Sequence, residues 1–118
     1  MRERSYTRSS RVADLIKEEV ANLFLTQVGD PRVQGITITD VRIGDDLKLA
    51  KIYYVSASRH EEQLMVEGLA KVKGFVRSAI AKSINLRRVP EIEFHYDEVF
   101  EQGMKMENLF RDIKDGKQ

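Results

Sequence analysis

The 118-residue chain contains no cysteine and no tryptophan, and only two histidines and two prolines. Without cysteine there is no disulfide framework, no thiolate metal site and no thiol redox chemistry. His60 and His95 are too few for a histidine-based metal cluster. No run approaches the roughly 18 apolar residues that a membrane-spanning helix needs. No apolar stretch follows the charged start MRERSYTRSSR, as a secretory signal would require. These absences lead us to expect a soluble, cytoplasmic chain with no cofactor, no metal, no membrane partner and no small-molecule substrate. At this length one domain is expected, able to bury a core without staples.

A local absence says more. Residues 68–90, GLAKVKGFVRSAIAKSINLRRVP, hold none of the 19 acidic residues. They hold six bases: Lys71, Lys73, Arg77, Lys82, Arg87 and Arg88. The net charge of +1 conceals this asymmetry. The first eleven residues carry Arg2, Arg4, Arg8 and Arg11 against Glu3 alone, whereas the chain from Glu91 onward is rich in acid. Local charge, not the total, selects a partner, and a cationic stretch free of carboxylates suits a polyanion. A helix that needs only solubility mixes signs and gains a few tenths of a kcal/mol per pair; this one does not.

The same stretch carries Leu69, Val72, Val76, Ala79, Ile80 and Ile84 at helical spacing, so its charges point outward. Gly74 lies in the middle, where glycine costs about 1 kcal/mol relative to alanine in a helix. Periodicity alone would run one helix from Arg59 to Asn85. A break at Gly74 into two helices suits a small domain better.

The remaining elements follow in order. A first helix begins near Ser9 or Ser10 as N-cap, with Val12, Leu15, Ile16, Val20, Leu23 and Phe24 inward, and stops before Gly29. Asp30-Pro31-Arg32 is a turn. A strand runs from Ile36 to Ile43, and its split parity calls for a bulge near Thr39-Asp40. After the Gly44-Asp45-Asp46 turn comes a strand from Leu47 to Ser56, with Ala50, Ile52 and Tyr54 toward the helices. Ser58 and Glu61 form a capping box for the next helix. Ile92, Phe94 and Tyr96 alternate with polar residues in a third strand. The segment from Val99 to Ile113 is partly helical, with the last four or five residues frayed. This order is an α+β two-layer sandwich.

The candidate RNA contacts are Lys71, Lys73 and Arg77 around Gly74, with Lys82, Arg87 and Arg88 beyond and Arg8 and Arg11 before. A helix N-terminus just after Gly74 would add free N–H groups for a phosphate. Arg87 and Arg88 either grip RNA or pair with Glu91 and Glu93. Tyr53 and Lys51 on the outer sheet face offer a lesser stacking surface. Asp45-Asp46 and Glu61-Glu62 are better explained as a turn and a helix start than as metal ligands. His95 shares a strand face with Glu93 and Asp97, but nothing supplies a nucleophile or cavity, so no catalysis is expected. Met104 and Met106 are expected to dock on the domain's own core.

The element order, with a glycine between two basic helices, resembles the type II KH fold, an RNA-binding αββααβ module. The usual GXXG at the junction is replaced by Val72-Lys73-Gly74-Phe75. Further segments resemble the bacterial ribosome-binding factor A family: Arg11-Val12-Ala13, Asp30-Pro31-Arg32, Asp46-Leu47 with Ala50-Lys51-Ile52-Tyr53, Arg88-Val89-Pro90-Glu91 with Phe94 and Tyr96-Asp97, and Gly103-Met104-Lys105-Met106 with Asn108-Leu109. Val72 stands where that family usually has alanine, so the kink angle is expected to differ. The resemblance implies a three-stranded sheet with helices on one face and a kinked pair at Gly74. It implies a KH-like ribosomal-RNA-binding domain over 1–97 and an acidic, partly flexible helical segment over 98–118. The implied protein is not an enzyme. It associates with the free or immature 30S subunit, contacts 16S rRNA and supports processing of its 5′ region, notably in the cold. Nothing suggests more than a monomer. The rival readings are a general KH-type RNA binder and a protein-interaction module acting through the C-terminal segment.

Overall fold

The computed structural model describes residues 6–57, 59–114 and 116. Helix α1 spans Arg8–Thr26, strand β1 Ile36–Ile43, strand β2 Leu49–Ser56, helix α2 Glu62–Ser83, strand β3 Glu91–Tyr96 and helix α3 Glu98–Lys114. Single 3-10 turns at Pro31–Val33 and Arg59–Glu61 precede β1 and α2. The sheet order is β1-β2-β3, antiparallel between the first pair and parallel between the second. A parallel neighbour requires a crossover, and α2 provides it. Helices α1 and α2 cover one face of the sheet.

The core joins Val12, Ile16, Val20 and Leu23 of α1 to Ala50, Ile52 and Tyr54 of β2 and to Met65, Leu69, Val76 and Ile80 of α2, all buried. The β1 bulge is present: Ile38 pairs with Tyr54 and Asp40 with Tyr53, so Thr39 is the extra residue. It brings Ile36, Ile38 and Val41 to the same buried side despite their split parity.

Several expectations are corrected. The cap of α1 is Thr7, whose hydroxyl accepts from the Ser10 N–H, not Ser9 or Ser10. Strand β2 starts at Leu49, because Leu47 adopts φ 56° to close the turn from Gly44. Ser58 lies outside the described residues; α2 is capped at Glu61 without a side-chain bond. The chain does not break at Gly74: α2 is one helix of 22 residues, so there is no helix N-terminus beside Lys73. Buried residues on both sides of Gly74, Met65 and Leu69 before and Val76 and Ile80 after, hold one rod against the core. Phe75 falls off that apolar face and is 46% exposed. Finally, α3 buries none of its residues, so Met104 and Met106 do not dock on the core.

Candidate nucleic-acid interface

Three chain segments converge at the C-terminal end of α2. The Glu91 N–H donates to the Lys48 carbonyl at 2.9 Å, which sets the loop before β3 beside the β1–β2 turn. The first turn of α1 completes the group. The result is an open concavity of about 540 Å³ lined by Arg8, Asp46, Leu47, Lys48, Leu86, Arg87 and Arg88. Four of these are cationic and only Asp46 is acidic. Asp46 is partly committed, since its Oδ1 accepts the Lys48 backbone N–H at 3.1 Å. Arg87 and Arg88 are exposed and form no ion pair among the described residues. The two acids that were candidate partners are engaged elsewhere: Glu91 lies 3.5 Å from Arg77, and Glu93 Oε1 lies 2.9 Å from His95 Nε2, from which it accepts when that nitrogen carries the proton.

Arg77 makes contacts that the sequence did not indicate. Its Nε donates to the Pro90 carbonyl and its Nη2 to the Val89 carbonyl, both at 3.1 Å. It ties α2 to the end of the loop that carries Arg87 and Arg88. Both carbonyls precede β3 and have no strand partner of their own, so a long planar donor is what the site needs. Arg77 therefore positions the cationic loop.

The helix also divides the other bases. At 100° per residue, Lys71 and Lys82 share one flank of α2, whereas Lys73 and Arg77 share the opposite one. Lys71 approaches Asp30, whose carboxyl is held at about 2, first by the Arg32 side chain and then by its backbone N–H, with Lys71 contributing least. Arg11 is exposed on α1 outside the concavity, near Tyr6. Arg2 and Arg4 lie outside the described residues. Lys48 was not singled out in the sequence; its only signal was an exposed base directly after a turn.

Arg8 opens α1, and no acid accompanies it in the first turn. Helix N-termini carry partial positive charge and disfavour cations there. The placement works against helix stability and favours an anion. Two acids elsewhere are occupied. Asp45 accepts from Ser9 at 2.8 Å, and Asp97 accepts from Thr39 and from the Phe100 N–H. Among the described residues no group of three His, Asp or Glu side chains converges as a metal site. No described helix is long and apolar enough to cross a membrane.

A three-stranded mixed sheet under two helices, with cations gathered where α1, the first hairpin and the α2–β3 loop meet, defines a KH-like α+β module. The pattern of the family Ribosome-binding factor A matches residues 8–110, and the chain belongs to that family. Ribosome-binding factor A of Syntrophobacter fumaroxidans is 40% identical over 111 residues, covering 92% of this chain and 95% of that protein. The Thermodesulfovibrio yellowstonii protein of the same name is 40% identical over 109 residues, covering 92% of each. The crystal structure of ribosome-binding factor A from Thermus thermophilus superposes with a TM-score of 0.67 at 23% identity, over 75% of this chain and 93% of that one. A Thermotoga maritima solution structure gives 0.60 at 26% identity, over 82% and 93%. The chain is thus a ribosome-binding factor, and its family is a non-catalytic one.

Proposed function

We propose that this chain binds the 30S subunit during its maturation in the cytoplasm, as a monomer. On this reading it holds 16S rRNA at the basic concavity and along α2, and supports processing of the rRNA 5′ region, including in the cold. One observation carries the reading: Arg8, Lys48, Arg87 and Arg88 converge around one open concavity, with Arg8 set where the helix dipole repels it. The family supports a ribosomal target over RNA in general. A Thermus thermophilus ribosome-binding factor A has been fitted into the cryo-EM map of a 30S complex.

The test is co-sedimentation with mature and immature 30S subunits at two salt concentrations. Phosphate contacts release counterions, so binding should fall steeply with salt. Reversing Arg8, Arg87 and Arg88 to Glu should reduce binding at least about tenfold and flatten the salt slope by about two to three. The Arg8→Glu change alone should leave the fold as stable or more so, by about 0.3–1 kcal/mol, because it corrects the charge at the helix start. Unchanged binding by the triple variant would sink the proposal. Equal affinity for unrelated RNAs would favour a general KH-type binder.

A second reading has its own support. Val99, Met106, Leu109, Phe110 and Ile113 are all more than half exposed on α3, as a protein-docking helix would be. Removing residues 98–118 separates the two: 30S binding survives under the first and is lost under the second.

A further inference from the structure

We infer that Phe75 is a nucleobase-stacking residue, set on the cationic flank of α2 to hold one unpaired RNA base between Lys71 and Lys82. This deepens the RNA-binding reading and rests on it. Lys71, Phe75, Ser78 and Lys82 recur at i, i+4, i+7 and i+11, so they form one stripe, and all four are exposed. Phe75 is 46% exposed and has no ring or cation contact among the described residues. Nearly half of this residue's surface faces water, and it is not among the residues packed on the core, so its outward face adds little to the fold.

Its surroundings are open. Gly74 is exposed, and a Cβ there would meet nothing within 4 Å. Neither packing nor backbone conformation requires that glycine. Ser78 is small on the other side. A flat ligand can therefore lie on the ring without clashing with the helix. The lysines stand about 6 Å before and about 10 Å after Phe75 along the helix axis, within reach of the phosphates on either side of a stacked nucleotide. Glu67, one turn ahead of Lys71, is the nearest acid on this stripe. It already lies within hydrogen-bond distance of Gln63, at 3.3 Å, and close to Arg32. A π face flanked by cations fits a nucleobase, whose stacking is tolerant of sequence.

The chain has no tryptophan, so Phe75→Trp makes a single-tryptophan reporter. Phe110→Trp, on the exposed face of α3, is the control. The probes are 30S subunits, a single-stranded RNA dodecamer and its duplex. Phe75→Ala should bind 30S subunits about five- to 150-fold more weakly, while Phe75→Trp should bind as wild type. Its emission should be quenched by 30S subunits and by the single strand, and not by the duplex. The control should stay unquenched. Circular dichroism should show every variant folded, since Phe75 is outside the core. Undiminished binding by Phe75→Ala, an unquenched Phe75→Trp, or equal quenching by the duplex overturns the inference and leaves the basic-concavity reading standing. Loss of 30S binding by the wild-type chain itself would overturn that reading, and the stacking role with it.

Discussion

Gly68 and Gly74 stand six residues apart on α2 and answer to different constraints. A Cβ on Gly68 would lie 2.8 Å from Val33 Cγ1 and 3.0 Å from Arg32 Cβ, inside contact distance of the Pro31–Val33 turn. A Cβ on Gly74 would meet nothing. The two Gly→Ala substitutions should therefore have opposite signs. Gly68→Ala overpacks a buried contact and should cost about 1–3 kcal/mol. Gly74→Ala should add up to about 1 kcal/mol, the helix-propensity difference. Chemical denaturation of both variants checks this; equal shifts would contradict it. Sequence reasoning placed the weight on Gly74, because it sits amid bases and resembles a KH junction. Nothing in the sequence around Gly68 marks it as a close contact. Its role depends on a turn 35 residues earlier, which nothing local announces. Arg77 is a similar case: its charge is legible in the sequence, but the carbonyls it binds are not.

At the level of elements, the 3-10 turn Pro31–Val33 is held by Asp30, which accepts from the Arg32 backbone at 2.9 Å and from its guanidinium at 2.7 Å and 3.0 Å. These contacts lower the Asp30 carboxyl from 3.8 to about 2. A depressed folded-state value means the stabilisation is complete above the unfolded value and is lost as pH falls toward 2. The stability gap between wild type and Asp30→Asn should thus be constant from neutral pH down to about 5, then close between about 4 and 2. Urea midpoints at several pH values measure it, and a gap that widens in acid would contradict the assignment. The root of α3 is pinned in a different way. Arg59 pairs with Glu98 and Glu101, lies 4.0 Å over the Tyr96 ring, and draws the Glu98 carboxyl below its ordinary range. Strand β1 was legible to the residue, bulge included, because a one-residue parity shift leaves a direct trace in the apolar pattern. The continuity of α2 was not: a glycine permits a helix to end, and packing on both sides decides that it continues.

On the scale of the whole molecule, α3 is an outlier. The Cα radius of gyration is 16.4 Å, against about 13.5 Å for a compact chain of this length. A helix with no buried residue accounts for the direction of that excess. Removing residues 98–118 should leave a cooperatively folded body, because no residue of α3 belongs to the buried core. Some stability should be lost with the Arg59 clamp, a small amount for an ion pair this exposed to solvent. Thermal unfolding by circular dichroism reads the outcome, and loss of a cooperative transition would refute it. Among the described residues no acid of α3 pairs with a base of residues 68–90; Glu98 and Glu101 are spent on Arg59, and Glu107 and Asp112 lie on the exposed helix.

The linear order of residues settled the α+β class, the strands, the inward faces and the cationic bias of residues 68–90. Each of these depends on periodicity and local charge, which a chain carries along its length. Contacts between distant segments decided the rest. They gathered Arg8, Lys48, Arg87 and Arg88 around one hollow, turned Arg77 into a brace, kept α2 helical through Gly74, and left Phe75 and α3 largely uncovered. Those outcomes are set by which surfaces meet in three dimensions, and side-chain spacing alone does not encode that.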